Sequence, residues 1–445
     1  MLVGMVPRFS FPQMDESVLK NGLRVIIIPD HEQEGMVAAL QLPFGRFSDP
    51  VGQEGCAEIC IGCMQKGTKT RTCEQFSDEF EHHGASIFAE VGEEHAMIGV
   101  KMLARFRDRL FPLFWEMITE PRFDSKELSR LLQEMVTALR AETVDAGTIA
   151  SHHFFHEIAG DDHPAGRYQT IQSVKRLRSE QVVSFYKKNV QPKNGTLVIA
   201  GDFPSDWFDS SYRATVEAWR TTSESKLCEG APVANKERVI RFVEKNDLTQ
   251  VTLLVGQAAP GELDSARIKI ALANYVFGAG NFSSRLMTRV RSSAGKTYGI
   301  ASHIAAERRF GALTIATSTQ NPQLTEVLTA ILNEYDLFCK NGITADELEK
   351  AKRFASGNMA FQLEGLSNMV EKILWLRFYH RTNNYIETFD EMINGISLDS
   401  VNDAIRSCFD SEKLILIAVG KKNEIVSQLS QFGTPKLFHY KDRIR

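Results

Sequence analysis

What this chain lacks narrows it first. It has no run of about 18 or more apolar residues, so the sequence offers no membrane-spanning helix. Its start, Met1-Leu-Val-Gly-Met-Val-Pro-Arg-Phe9, has no basic segment followed by an apolar stretch and does not read as a signal peptide. A cytoplasmic location is therefore expected, or a periplasmic one if a signal has been removed. An excess of charge of one sign is missing too. With 52 Lys+Arg against 56 Asp+Glu the net charge is -4, and the pI near 6.3 argues against a dedicated nucleic-acid surface. Cysteines number seven, an odd count without a regular framework, which fits a reducing compartment rather than a disulfide scaffold.

What is present is a soluble globular composition, 43% hydrophobic and 24% charged, in 445 residues, too long for one ordinary core. A weak internal duplication organises it. Ser179 to Gly201 reads as an amphipathic helix (Val182, Val183, Phe185, Tyr186), a turn at Asn194-Gly195, and the apolar strand Thr196-Leu-Val-Ile-Ala200. Leu398 to Gly420 repeats that order, with helix positions Val401, Ala404 and Ile405, a turn near Ser411, and the strand Leu414-Ile-Leu-Ile-Ala-Val419. Val182 to Val401 and Gly201 to Gly420 are both offsets of 219 residues.

Earlier elements pair approximately. The alternating strand from Ala96 and its following helix match Leu313-Thr-Ile-Ala-Thr-Ser-Thr319 and the helix Leu324 to Lys340. Asp124 and Thr344 then each cap a further helix with acidic residues in its first turn. Consecutive helices without intervening strands predict an α+β fold of two homologous domains. Each is a mostly antiparallel sheet covered by helices on one face. The polar stretch from Thr221 marks the linker, giving domains 1–220 and 238–445 with 221–237 between them.

Two clusters have simple structural readings. Cys56, Cys60 and Cys63 have the C-x3-C-x2-C spacing that can hold an iron–sulfur cluster. They also stand at i, i+4 and i+7 on one helical face, which predicts core packing, and no eightfold βα repetition accompanies them. His152 and His156, beside His153 and Glu157, give an i, i+4 pair to which the sequence supplies no third metal ligand. Phe154 and Phe155 suggest packing instead. His82 and His83 before Gly84 read as a helix C-terminus.

Residues 55 to 68, Gly-Cys-Ala-Glu-Ile-Cys-Ile-Gly-Cys-Met-Gln-Lys-Gly-Thr, read as a buried helix that begins near Gln53 and ends at Gly67. Their frame, with Gly55, Ala57, Lys66, Gly67 and Thr68, resembles the zinc helix of the inverzincin peptidases. These are the pitrilysin, insulinase and mitochondrial-processing-peptidase family, whose motif is H-x-x-E-H. The two histidine positions hold Glu58 and Gly62, and the glutamate position holds Ile61. An imidazole donates a lone pair to Zn²⁺ and a glutamate acts as base on its water. Glycine and isoleucine do neither. A distal glutamate ligand in the family falls, counting from Gly62, near Ala138 and Leu139, with Glu134 and Glu142 on either side.

A second segment, Gly278 to Tyr298, resembles the family's second-half motif through Ser284, Arg285, Leu286, Arg291, Gly295 and Tyr298. The opening Val18 to Asp30 and Asp162-His-Pro-Ala-Gly-Arg167 extend the likeness over almost the whole chain. The resemblance implies that Arg291 and Tyr298 act in trans on a partner's zinc site, with Ser284 and Arg285 binding substrate. A guanidinium fork and a phenol are suited to hold peptide backbone and an oxyanion; a solvated cationic loop with a core tyrosine is the plain alternative. The chain is thus expected to carry no cofactor, to be inactive alone, and to serve as the non-zinc subunit of a heterodimeric peptidase. Zinc would sit in a homologous partner bearing H-x-x-E-H, and the two chains would form a clam-like chamber for unfolded peptides. A homodimer is expected if no such partner exists. An inert scaffold like the respiratory-complex core proteins, or a peptide-binding pseudo-peptidase, is the alternative.

Overall fold

The computed structural model describes residues 9–220, 237–292, 297–442 and 444, and only the backbone of Arg291, Ser292 and Tyr298. The proposed linker thus lies almost wholly outside the described residues.

Two six-stranded sheets carry the fold. The first uses β1 (Asp15–Val18), β2 (Arg24–Pro29), β3 (Gly35–Leu42), β4 (Ser86–Val91), β5 (Ala96–Leu103) and β6 (Thr196–Gly201) in the order β1-β2-β6-β3-β5-β4. The second uses β7 (Val239–Glu244), β8 (Gln250–Ala259), β9 (Thr297–Ala306), β10 (Gly311–Gln320), β11 (Ile415–Gly420) and β12 (Lys436–His439) in the order β12-β7-β11-β8-β10-β9. β2–β6 and β7–β11 are the equivalent parallel pairs, and from β6 or β11 onward all pairing is antiparallel.

The 219-residue offset is visible in the elements. The helix Ser179–Asn189 and β6 have their counterparts in Leu398–Cys408 and β11 at that spacing. Asn194, at φ 64°, forms the expected turn into β6. The helices Ser125–Glu142 and Ala345–Phe361 begin where their caps predict.

Both faces of the first sheet are buried, which explains why β2 and β6 read as unbroken apolar runs rather than alternations. Val25, Ile27, Leu197 and Ile199 point toward helices of their own half, among them Cys56–Met64, Arg107–Thr119 and Ser179–Asn189. Ile26, Ile28, Val198 and Ala200 point the other way, onto Leu366, Val370, Ile373 and Leu374 of the helix Gly365–Phe378. That helix belongs to the second half of the sequence. Correspondingly, the helix Ala146–Ala159 of the first half packs on β8 and β11 of the second sheet. Gly256 leaves room there for the Phe154 ring, which would stand 3.0 Å from any Cβ. The two compact units therefore exchange segments: Asn358–Phe389 joins the unit of the first sheet, and Ala138–Tyr168 that of the second. This exchange has no signature in sequence periodicity.

Candidate functional site: a groove beside a former metal helix

The helix of the degenerate motif spans Cys56–Met64, shorter at both ends than the Gln53 to Gly67 that the sequence suggested. Gly55, at φ 103°, breaks it, because such a backbone excludes a helical turn through Gln53. The Asp49 carboxylate takes over there, accepting from the N–H of Gly55 and of Ala57, each at 2.7 Å. Asp49 is buried, and burial pushes its carboxyl up to about 7 against the pull of those two N–H groups. Glu58 and Glu54 add to the rise. Inside the helix, Cys56, Cys60 and Cys63 are fully packed in the core. Burial drives Cys56 and Cys63 up to about 12 and Cys60 well upward, so these are apolar fillers rather than thiolate ligands.

The former ligand positions face a groove of about 350 Å³ lined by Arg46, Glu58, Ile61, Gly62, Gln65 and the β4 end Ala89–Gly92. Glu58 accepts from Arg46 Nε at 2.7 Å, and Arg46 Nη1 reaches Glu93 at 3.0 Å, so a guanidinium holds the carboxylate at the first histidine position. Ile61 is core. A side chain at Gly62 would touch Leu131 at 3.4 Å. The distal helix thus presents Leu131, not a carboxylate, to Gly62. Glu134 instead pairs with Arg130 at 3.8 Å on the exposed side, and Glu142 is exposed near the helix end. Among the described residues, no group of three or more His, Cys, Asp or Glu side chains could hold a metal ion.

The histidine cluster disperses in the same way. His152 stacks on Tyr168 with centroids 4.0 Å apart, and burial lowers it to about 4. His156 Nδ1 lies 3.3 Å from the Gly166 carbonyl. His153 tilts against Phe438, and burial first, then Arg241, lowers it to about 3. Glu157 pairs with Arg241. His83, as expected at a helix end, bonds the Glu79 carbonyl at 2.7 Å.

In the second half, Tyr275–Ala279 and Met287–Ser292 are wound with wide i→i+5 turns, the kind found where a helix is locally distorted. Buried Ser284 accepts from the Met287 N–H and donates to the Asn281 carbonyl, closing the turn that starts the second. Arg285 is clamped by Glu347 at 2.6 and 2.8 Å and by the Gly342 carbonyl at 3.0 Å. Arg289 meets buried Glu334 at 2.6 Å. Both residues expected to bind substrate are thus used within their own unit to hold the segment that leads to Arg291. Arg291 lies in the Met287–Ser292 turn and Tyr298 is the second residue of β9. Their side chains, like residues 293–296, lie outside the described residues.

Sequence reasoning missed Asp49 and Arg46. Asp49 had a signal, an Asx residue in a turn-rich stretch just ahead of a helix. Arg46 had none, since its partners are 12 and 47 residues away.

A peptidase-type α+β fold with its metal positions filled by a carboxylate held by arginine, a core isoleucine and a glycine defines a zinc-peptidase relative without the zinc site. The insulinase domain of peptidase family M16 matches residues 24–166, and the M16 inactive domain matches 176–354. The chain belongs to peptidase family M16. An uncharacterized zinc protease of Rickettsia felis is 23% identical over 89% of this chain and 95% of the relative. The non-peptidase homolog YmxG of Helicobacter pylori is 23% identical over 85% and 87%. The crystal structure of an M16 inactive domain from Pseudomonas fluorescens superposes with a TM-score of 0.83 at 21% identity, covering 92% of this chain and 98% of that one.

Proposed function

We propose that this chain is the non-zinc subunit of a two-chain M16 peptidase, holding peptide and lending Arg291 and Tyr298 to a partner's zinc site. The observation that carries this is the groove at Glu58, Ile61 and Gly62. Its metal positions are replaced, while the groove itself is kept open beside β4, an edge strand that among the described residues pairs only with β5. An edge strand offers unpaired backbone groups to an extended peptide. The clamping of Arg285 and Arg289 supports the second half of the proposal, because it fixes the segment leading to Arg291. Partner and substrate follow as a homologous H-x-x-E-H chain and unfolded peptides, within a chamber that both chains wall.

The test is to combine the purified chain with an H-x-x-E-H-bearing M16 partner and assay peptide cleavage. Arg291→Ala with Tyr298→Phe should lower kcat about 10²–10³-fold, the cost of losing oxyanion donors, with peptide binding by the chain retained. Cleavage that is indifferent to both changes would favour a scaffold or a purely peptide-binding role.

A further inference from the structure

Apart from the outermost β1 and β12, the two sheets share strand order and direction, so each exchanged helix has a competing docking place on the sheet of its own half of the sequence. What selects the exchange is visible at one register position. Ile26 of β2 pairs with Val198, and Arg241 of β7 pairs with Ile417; Val198 and Ile417 are 219 residues apart, so Ile26 and Arg241 are equivalents. On the first sheet, Ile26 meets the apolar side of the Gly365–Phe378 helix, whose Arg377 reaches Glu16 of β1 at 2.7 Å. On the second, buried Arg241 meets Glu157 of the Ala146–Ala159 helix, and Phe438 of β12 covers the guanidinium at 4.9 Å. Arg241 Nε and Nη1 find no other hydrogen-bond partner among the described residues.

We propose that Arg241 and Glu157 are a docking key that assigns each exchanged helix to the sheet of the opposite half. Docked on its own half's sheet, the Ala146–Ala159 helix would bring the Glu157 carboxylate against Ile26. The Gly365–Phe378 helix on the second sheet would set Leu376, 219 residues from Glu157, against Arg241. Each misplacement buries a charge without a counterion, which an interior tolerates poorly. The key acts through specificity rather than through raw stability, since an apolar pair of similar volume packs as well.

The experiment uses the full chain with Gly35→Cys and Leu366→Cys. Gly35 and Leu366 are neighbours, so a short bis-maleimide, which adds one cysteine thiol across each of its two double bonds, reports the Gly365–Phe378 helix on the first sheet as a 35–366 cross-linked peptide. The protein is unfolded, refolded and cross-linked. Glu157→Leu/Arg241→Ile should refold cooperatively, yet its cross-linking should fall at least twofold against never-denatured protein. The charge-reversed Glu157→Arg/Arg241→Glu should restore it. Arg241→Ile alone should speed amide exchange in residues 146–159 at least tenfold. Should that variant fail to fold, the two double variants decide. If Glu157→Leu/Arg241→Ile cross-links after refolding as fully as the parent, the pair stabilises without selecting and the proposal falls.

Discussion

Two segments, one from each half of the chain, are fixed by different means. The Cys56–Met64 helix is held at its start by one buried carboxylate and sealed inside by thiols; its outward side is left to a half-exposed arginine. The Gly278–Ser292 segment is wound irregularly and held by two arginine–glutamate clamps, at Glu347 and Glu334. Where the metal ligands are replaced, packing fixes the inner side of the helix and leaves a groove along its outer side. In the second motif, partly exposed arginine–glutamate pairs hold an irregular path.

Breaking the anchor of the first segment should have the largest effect. Asp49→Ala leaves the Gly55 and Ala57 N–H groups buried and unpaired, a loss of about 2–6 kcal/mol at about 1–3 per donor. A denaturant titration measures it. A drop below about 1 kcal/mol would mean the helix start is held by something else. Asp49 also has a pH signature. Its folded carboxyl is raised to about 7 by burial, so between about pH 4 and pH 7 the folded state holds a proton that the unfolded chain has released. The stability contributed by this group therefore falls as pH rises through that window. Asp49→Asn should flatten the slope, as seen in unfolding midpoints between about pH 3.5 and about pH 7.5, a range that spans the two pKa values.

In the second segment, Arg285→Ala removes charged hydrogen bonds to Glu347 and Gly342 and should cost about 1.5–3 kcal/mol. With the partner present, it should lower kcat more than it raises KM, because it acts through the placement of Arg291. Equal loss in both parameters would return Arg285 to direct substrate binding. The smallest effect belongs to Arg46→Met. Its guanidinium is 43% exposed, so the pair with Glu58 is worth under about 1 kcal/mol. Peptide affinity should change while stability hardly does; a large loss of stability would make Arg46 part of the fold rather than of the groove.

The legible and illegible parts of this molecule divide on physical lines. Val182, Phe185, Val401 and Ile405 revealed their helices because a 3.6-residue period is written in a window of a few turns. That Ile61 and Gly62 cannot act as ligand or base was plain because neither side chain carries a lone pair, and Glu58 by itself does not make a zinc site. The Cys56, Cys60 and Cys63 face was readable from i, i+4, i+7 spacing. Gly55 marked the family frame, but its left-handed backbone, which shortens the helix, did not announce itself. Leu131 opposite Gly62 was not readable either, since counting along a chain fixes a helix phase only within a residue or two.

By itself, the sequence determined the duplicated α+β plan, the missing zinc ligands and the presence of Arg291 and Tyr298 in its second half. Each of these is a property of residue type or of short-range period. The tertiary structure alone decided that Asp49 caps the former metal helix, that Arg46 holds Glu58, that Arg285 is committed to Glu347, and that the two halves trade a helix. An amphipathic stripe states that a helix must bury one face but not against which sheet. That choice is made by partners far apart in the chain, where one unpaired buried charge outweighs any local preference.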